Sequence, residues 1–405
     1  MVRMPVSEVV FRQDLYPRLT HDPALVQRYQ DNLEVLPPIE VNQNNILIDG
    51  WHRWAAHRQA GYTTIEAIVL ETKSEAEVLR LSVLRNAAHG KQMSYKDKRA
   101  FARKMYAAKE MTADDLLRLL SVGERWMREA LKDLRKAEKE EQARQIRNLW
   151  TLAYSTTEIA TQLGIAQSSV DDADKTPAAA TFEKPPLYDV WTANKSPNAI
   201  AHPGQTSQDK IESLLYLYTE PGDIVIDPFA GGGSTIDVCR KYGRRCLASD
   251  LTPIASRESE IRQHDIMTGL LKPPLWKDVS LVYLDPPYGA QVRGKYSDKE
   301  EDLANIDHDE LTEKLYEVIA AYFQKLPGGA HIALIIQAPQ WWSENKRRHD
   351  HVWRLAEFGL KPPVERIQCP YSPHQATAQM VNWAKENRRV LTISRELVVW
   401  EVVHA

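Results

Sequence analysis

The sequence predicts an α/β protein in three parts: a small α/β unit, a helical middle and a Rossmann-like sheet with helices on both faces. Three observations predict it. From about residue 198 onward, short apolar runs alternate with amphipathic stretches, the pattern of a parallel sheet covered by helices. Residues 91–172 hold almost no Gly or Pro and carry apolar residues at helical spacing. Residues 1–90 set two strand-like runs around one helical stretch.

In the first part, Ile46-Leu47-Ile48 and Ile65–Leu70 read as strands, and Trp51–Ala60 as a helix closed by Gly61. In the second, Leu116, Leu117, Leu119 and Leu120 and then Trp126, Met127, Leu131 and Leu134 recur with helical period. Two segments there have helix-turn-helix spacing. Thr156–Val170 turns at Gly164 and opens a second helix with Gln167, Ser168 and Ser169, where side chains of a recognition helix reach base edges. Met111–Leu134 places Val122, Trp126 and Leu131 similarly, with Arg125 and Arg128 facing outward. Residues 173–197, rich in Pro, Ala and Thr, read as a linker. Beyond it, Ile224-Val225-Ile226, Cys246-Leu247-Ala248, Leu281–Leu284, Ile332–Ile336 and Arg395–Val403 read as strands of the last domain, 198–405.

Composition narrows the classes. A chain of 405 residues holds two to three domains, and 43% hydrophobic with 26% charged residues excludes a disordered or collagen-like protein. The net charge of −3 points to no partner, but Arg80–Arg147 carries 18 Lys+Arg against 10 Asp+Glu. That local excess of +8 fits a nucleic-acid-binding module, or a solvated helix whose charges pair along its faces. Cys239, Cys246 and Cys369 have neither metal-ligand spacing nor a disulfide framework. No metal is expected, and a reducing cytoplasm is. The longest uncharged stretches, Leu326–Ser343 and Ile367–Ala384, are broken by Pro and Gly or rich in polar residues, so no membrane span is expected. No signal peptide is expected in the charged first fifteen residues.

The chemistry-bearing segment is Pro221–Thr235, a strand, a glycine-rich turn and a helix opening at Ser234 or Thr235. A phosphate-cradling P-loop would need Lys after Gly233, where Ser234 stands; a dinucleotide fingerprint would need Gly where Ile236 stands. S-adenosylmethionine fits better, because its sulfonium and ammonium suit the acid Asp227 beside the turn. Asp250 ends the next strand at the spacing at which an acid caps a ribose, and Asp265 follows on a third loop. Leu281–Tyr288 then runs from a strand into Asp285, Pro286, Pro287 and Tyr288. The prolines remove two backbone donors. A carbonyl and the Asp285 carboxylate are left to accept from an exocyclic amino group, with the Tyr288 ring to stack on its base.

On these motifs, residues 198–403 resemble the amino-group DNA methyltransferases that use S-adenosylmethionine. Asp227-Pro-Phe-Ala-Gly-Gly-Gly-Ser-Thr is similar to their cofactor motif and Asp285-Pro-Pro-Tyr288 to their catalytic motif. Ala201–Thr206 resembles the element that closes over the methionine moiety, without the Lys-Pro that usually follows its Gln, and Gly232 stands where many relatives have Ser. The resemblance implies cofactor contacts from Gln205, Asp227, Phe229, Ala230, Gly231, Gly233, Asp250 and Asp265. It implies that Asp285 and the Pro286 carbonyl hold the target amino group while Tyr288 stacks on a flipped base. Asp at the first position of that motif leans toward adenine N6 over cytosine N4 in this family. Arg293 and Lys295, in the loop after Tyr288, are further candidates for touching DNA, as is the stretch 337–389 with Trp341-Trp342 and Lys346–Arg348.

Leu47–Ala56 resembles the signature of the ParB/sulfiredoxin-like fold. Gly50 and Arg53 keep its outline; Trp51 and His52 replace its middle, and Trp51 stands where sulfiredoxin has its catalytic Cys, which excludes that redox activity. Asn86–Gly90 with Met93-Ser94 fits a second segment of ParB-like proteins. The expectation is a DNA adenine-N6 methyltransferase whose partner is double-stranded DNA. The alternatives are a cytosine-N4 enzyme, an RNA base methyltransferase and a ParB-like regulator with a degenerate methyltransferase domain. The oligomeric state stays open, a homodimer included.

Overall fold

The computed structural model describes residues 1–18, 21–88, 93–175, 179–182, 187–192, 207–288, 303–338, 349–370 and 377–404. The chain divides into two compact units, Met1–Glu141 and Gln142–Ala405.

The first unit opens with β1 (Val2–Pro5), α1 (Pro23–Gln30), β2 (Ile39–Asn42), β3 (Leu47–Asp49), α2 (Trp51–Gln59) and β4 (Thr64–Leu70). Its four strands lie in the order β1-β4-β2-β3, with β2 parallel to β4 and the other pairings antiparallel. Ile39, Val41, Leu47, Trp54 and Ala67 close its core. Helices α3 (Glu75–Ala88), α4 (Tyr95–Ala107), α5 (Ala113–Leu120) and α6 (Glu124–Ala130) follow. α4 and α5 each start with a reciprocal cap, Ser94 with Asp97 and Thr112 with Asp115, satisfying donors that a helix start otherwise leaves open. Leu116, Leu120, Met127 and Leu131 are buried between these helices as their spacing predicts, and Arg125 and Arg128 are exposed.

α7 (Lys132–Thr151) contains the boundary. The second unit continues with α8 (Thr156–Leu163) and α9 (Gln167–Asp171), packed through Ile146, Ile159, Ala160 and Val170. The helical middle is thus divided, with α4–α6 in the first unit and α8–α9 in the second. The segment leading into α8 is fastened to the sheet of that unit: Arg245 lies 5.0 Å from the Trp150 ring centroid and Arg262 4.3 Å from that of Tyr154.

After α10 (Gln208–Tyr218) come β5 (Ile224–Asp227), α11 (Ser234–Lys241), β6 (Arg245–Asp250), β7 (Arg262–Gln263), β8 (Val279–Leu284), α12 (His308–Lys325), β9 (His331–Ile336), α13 (His351–Glu357), β10 (Glu365–Pro370), α14 (Ala378–Glu386) and β11 (Ser394–Glu401). The seven strands lie in the order β10-β11-β9-β8-β5-β6-β7. Period-2 alternation divides their side chains between two cores. Ile224, Ile226, Val282, Leu284, Ile332 and Leu334 face one side, where α12 supplies Leu311, Leu315, Ile319 and Tyr322. Val225, Leu281, Tyr283, Ala333 and Ile335 face the other, with Ile211, Leu214 and Leu215 of α10 and Ile236 and Cys239 of α11. A sheet covered on both faces is the reason these strands read as unbroken apolar runs.

The sheet is parallel except for β11, which runs antiparallel to both of its neighbours, β9 and β10. The connection explains the exception. Pro370 pairs with Ser394, so the end of β10 and the start of β11 share one edge of the sheet, and the nine-residue α14 joins them without a crossover. Among the described residues, no helix is long and apolar enough to cross a membrane.

Candidate functional site

In a sheet of this topology, ligands sit beyond the carboxyl ends of the strands. Here three neighbouring strands, in the order β8-β5-β6, end at or just before an acid: Asp285, Asp227 and Asp250 respectively.

Asp227 is almost fully buried. Its Oδ1 accepts the Phe229 amide at 3.0 Å and its Oδ2 accepts the Thr235 hydroxyl at 2.6 Å, so it ties the strand to the start of α11. Burial pushes its carboxyl up to about 7; the two hydrogen bonds pull down, and the negative charges of Asp285 and Asp250 push further up. Between strand and helix, Gly233 takes φ +80°, and a Cβ there would stand 2.9 Å from the Arg257 guanidinium carbon. Only Gly fits that corner. Arg257 is itself held by both oxygens of Asp237, at 3.0 and 2.9 Å.

Asp250 fixes the other side of the turn. Its Oδ2 accepts the Gly231 amide at 2.8 Å and its Oδ1 the Thr252 amide at 3.0 Å, while the Ala230 amide donates to the Ser249 carbonyl. Phe229 is half-buried against the core, and Gly231 and Gly233 have positive φ. Asp265 is exposed and caps a short turn through the Met267 amide at 2.9 Å. Of the eight expected cofactor contacts, the structure gathers Asp227, Phe229, Ala230, Gly231, Gly233 and Asp250 around one turn and sets Asp265 after the next strand. Gln205 lies outside the described residues, as do Arg293, Lys295, Trp341-Trp342 and Lys346–Arg348.

At the end of β8, the Tyr288 hydroxyl donates to Asp285 Oδ1 at 3.0 Å and the Tyr283 hydroxyl to Asp285 Oδ2 at 3.4 Å. Pro286 is buried, and Pro287 and Tyr288 are half-buried. Arg395, at the start of β11, places its guanidinium 5.4 Å from the Tyr288 ring centroid. Thr235, Tyr283, Arg257 and Arg395 are the site residues that sequence reasoning missed. Tyr283 had a signal, since residues two apart on a strand share a face; Arg395 had none, because only the return of β11 brings it there. On α9, Gln167, Ser168 and Ser169 are exposed. Among the described residues, no group of three or more His, Cys, Asp or Glu is arranged to hold a metal ion.

Asp227 and Asp250 at the turn, with Asp285 at the end of the neighbouring strand, make a site that suits a cation better than an anion. A sulfonium and an ammonium meet that preference, and a phosphate would go against it. The residues present therefore fit S-adenosylmethionine.

The N6/N4 family model described as DNA methylase matches residues 55–259, just over half of the chain. The matched range includes the glycine turn and Asp250 and stops before Asp285. The type II methyltransferase M.XycI of Xanthomonas campestris pv. cyanopsidis is 38% identical over 64 residues, 16% of this chain and 21% of that protein. The chain thus spans about a fifth of that relative's length. Among solved structures, the C-terminally truncated chromosome-partitioning protein ParB from Caulobacter crescentus, complexed to the centromeric parS site, is 17% identical; the match covers 44% of this chain and 86% of that one, with a TM-score of 0.25. A SAM-dependent methyltransferase from Archaeoglobus fulgidus is 12% identical over 48% of this chain and 94% of that one, with a TM-score of 0.30.

Proposed function

Because the chain belongs to the N6/N4 DNA methylase family, we propose that it transfers a methyl group from S-adenosylmethionine to the exocyclic nitrogen of a base in double-stranded DNA, adenine N6 in preference to cytosine N4. The observation that carries the reading is the convergence of Asp227, Asp250 and Asp285 on one strand edge, with Asp227 pushed up to about 7 by burial and by its acidic neighbours.

S-adenosylmethionine, when bound, supplies an electrophilic methyl on a sulfonium. Asp227, Phe229, Ala230, Gly231, Gly233 and Asp250 would hold it, with Asp265 and Gln205 as further contacts. The chain's own work is positioning. The Asp285 carboxylate and the Pro286 carbonyl would accept the two amino hydrogens, which would orient the nitrogen lone pair and stabilise the positive charge that develops on nitrogen until one of those hydrogens leaves as a proton to solvent. The Tyr288 ring stacks on the base, which has to leave the duplex to be reached. The leaning to adenine rests on Asp at the first position of Asp285-Pro-Pro-Tyr288.

The ParB-like first domain (1–90) and the helical region (91–172), ahead of the linker (173–197) and the catalytic domain (198–405), are read as the DNA-docking part. Exposed Arg125 and Arg128 on α6 and exposed Gln167, Ser168 and Ser169 on α9 support that role. Charge reversal of Arg125 and Arg128 together should weaken DNA binding and lower the salt slope by about one per lost phosphate contact. An unchanged slope would remove them from the interface.

Base-resolution mapping of plasmid DNA incubated with the protein and S-adenosylmethionine tests the whole reading. Modified adenines are expected, and Asp285→Ala should abolish them. Recovery of N4-methylcytosine alone would reassign the target, and an unmodified plasmid would overturn the function.

A further inference from the structure

Both oxygens of Asp285 already have phenol partners within this chain, and the two phenols differ. Tyr283 projects from β8 into the core shared with α10 and α11 and is 3% exposed. Its hydroxyl reaches Asp285 because positions i and i+2 of a strand share a face. Tyr288 lies beyond the strand, after two prolines, half-buried at the edge of the opposite core and under the Arg395 guanidinium. One phenol is anchored in the interior; the other sits where a base would stack.

The distances run the other way. The anchored hydroxyl is 3.4 Å from Oδ2, long for an O–H···O bond, and the outer one is 3.0 Å from Oδ1. In the resting protein, Asp285 therefore leans on the partner that substrate must displace. Hydrogen bonds of catalytic groups are commonly loose before substrate binds and tighten in the complex.

Resting on the methyltransferase reading above, we propose that Tyr283 is a positioning residue for Asp285: its core-anchored hydroxyl holds Oδ2 throughout, while Oδ1 exchanges the Tyr288 hydroxyl for the amino group of the target base. No proton is transferred between the phenols and the carboxylate; one hydrogen bond is exchanged for another. Tyr283 thereby fixes the carboxylate rotamer and decides which oxygen faces substrate. Tyr288 serves as a resting-state cover for that oxygen, and its ring becomes available when the hydroxyl lets go.

The exchange gives the two tyrosines different signatures. The pH profile of kcat/KM reports the free enzyme and that of kcat the complex. A lost donor makes a carboxylate easier to protonate. Tyr283→Phe, measured in the full chain with S-adenosylmethionine and duplex DNA, should move the acid limb of both profiles up by about half a pH unit to one unit. It should also lower kcat by about tenfold with little change in KM for DNA. Tyr288→Phe should move the acid limb of kcat/KM and leave that of kcat in place. A merely structural role for Tyr283 would lower the amount of active protein without moving either limb.

A second readout needs no turnover. Carboxyl carbon-13 titration of aspartate-labelled protein, with Asp285 assigned through Asp285→Asn, should show its midpoint raised in Tyr283→Phe. A raised midpoint in a protein that methylates nothing would keep the positioning and sink the function. Methylation with limbs and midpoint unmoved by Tyr283→Phe, or with the two phenylalanine variants behaving alike, would overturn the positioning.

Discussion

The molecule builds the same local device twice, a strand that turns through a left-handed Gly into a helix, and partners the acid at the end of each strand differently. In the first unit, β3 ends at Asp49, Gly50 takes φ +100°, and α2 begins at Trp51. In the second, β5 ends at Asp227, Gly233 takes φ +80°, and α11 begins at Ser234. Both glycines are sterically required. A Cβ at Gly50 would stand 2.7 Å from the Ile39 side chain and 2.9 Å from Arg53, and one at Gly233 would meet Arg257. The backbone alone would predict an anion site at each.

The side chains decide otherwise. At the first turn, Arg53, which would have faced an anion, is closed onto Asp49 at 2.7 Å. The neighbouring Trp51 is stacked on His21 with ring centroids 3.7 Å apart. Charge and surface are both spent within the unit. At the second turn Asp227 accepts from the Phe229 amide and the Thr235 hydroxyl, and burial raises it to about 7. A shared backbone device therefore says where a ligand could sit, and the charge pairing around it says which ligand, if any.

The largest expected effect comes from closing the second turn. Gly233→Ala forces a side chain into a left-handed backbone against Arg257 and should cost about 1–3 kcal/mol of stability. Thermal melting should show it, together with weakened cofactor binding. An unshifted melting temperature would mean that the corner is not constrained as described.

A smaller effect is the pH dependence of stability carried by Asp227. Its carboxyl rises from 3.8 to about 7 on folding, so the folded state binds the proton more tightly. The sign follows: its contribution is complete below about pH 3.8 and is lost as pH rises through about 7. Asp227→Asn should flatten the stability profile of the free protein between those limits. A profile as steep as the wild type's would sever Asp227 from it.

The smallest effect should come from the first turn. Asp49→Asn releases Arg53 from a pair whose side chains are 27% and 15% exposed, at a cost of about 1 kcal/mol or less. If pairing alone quenches the site, the variant should gain weak binding of inorganic pyrophosphate that the wild type lacks. No gain would mean that the Trp51–His21 stack closes the site by shape.

Much of this was legible in the sequence because the relevant forces are local. The glycine turn, the apolar runs of β5 and β8 and the helix pair within Thr156–Val170 each announce themselves within fifteen residues. Gly233 had to be Gly whatever lay elsewhere. What escaped depends on contacts between distant segments. Arg395 reaches Tyr288 only because β11 returns between β9 and β10. The parallel pattern was legible as well, but not the reversal of β11, since an apolar strand reads the same in either direction.

If the acids at the second turn bind a positively charged methyl donor, the binding depends on the ionisation of Asp227. Calorimetric titration of S-adenosylmethionine into the full chain at pH 6 and pH 8, for wild type and Asp227→Asn, tests this most directly. One site is expected, tighter at pH 8 because a cation favours ionised Asp227, with that gain lost in the variant. No heat at either pH, or an equal gain in Asp227→Asn, would contradict it.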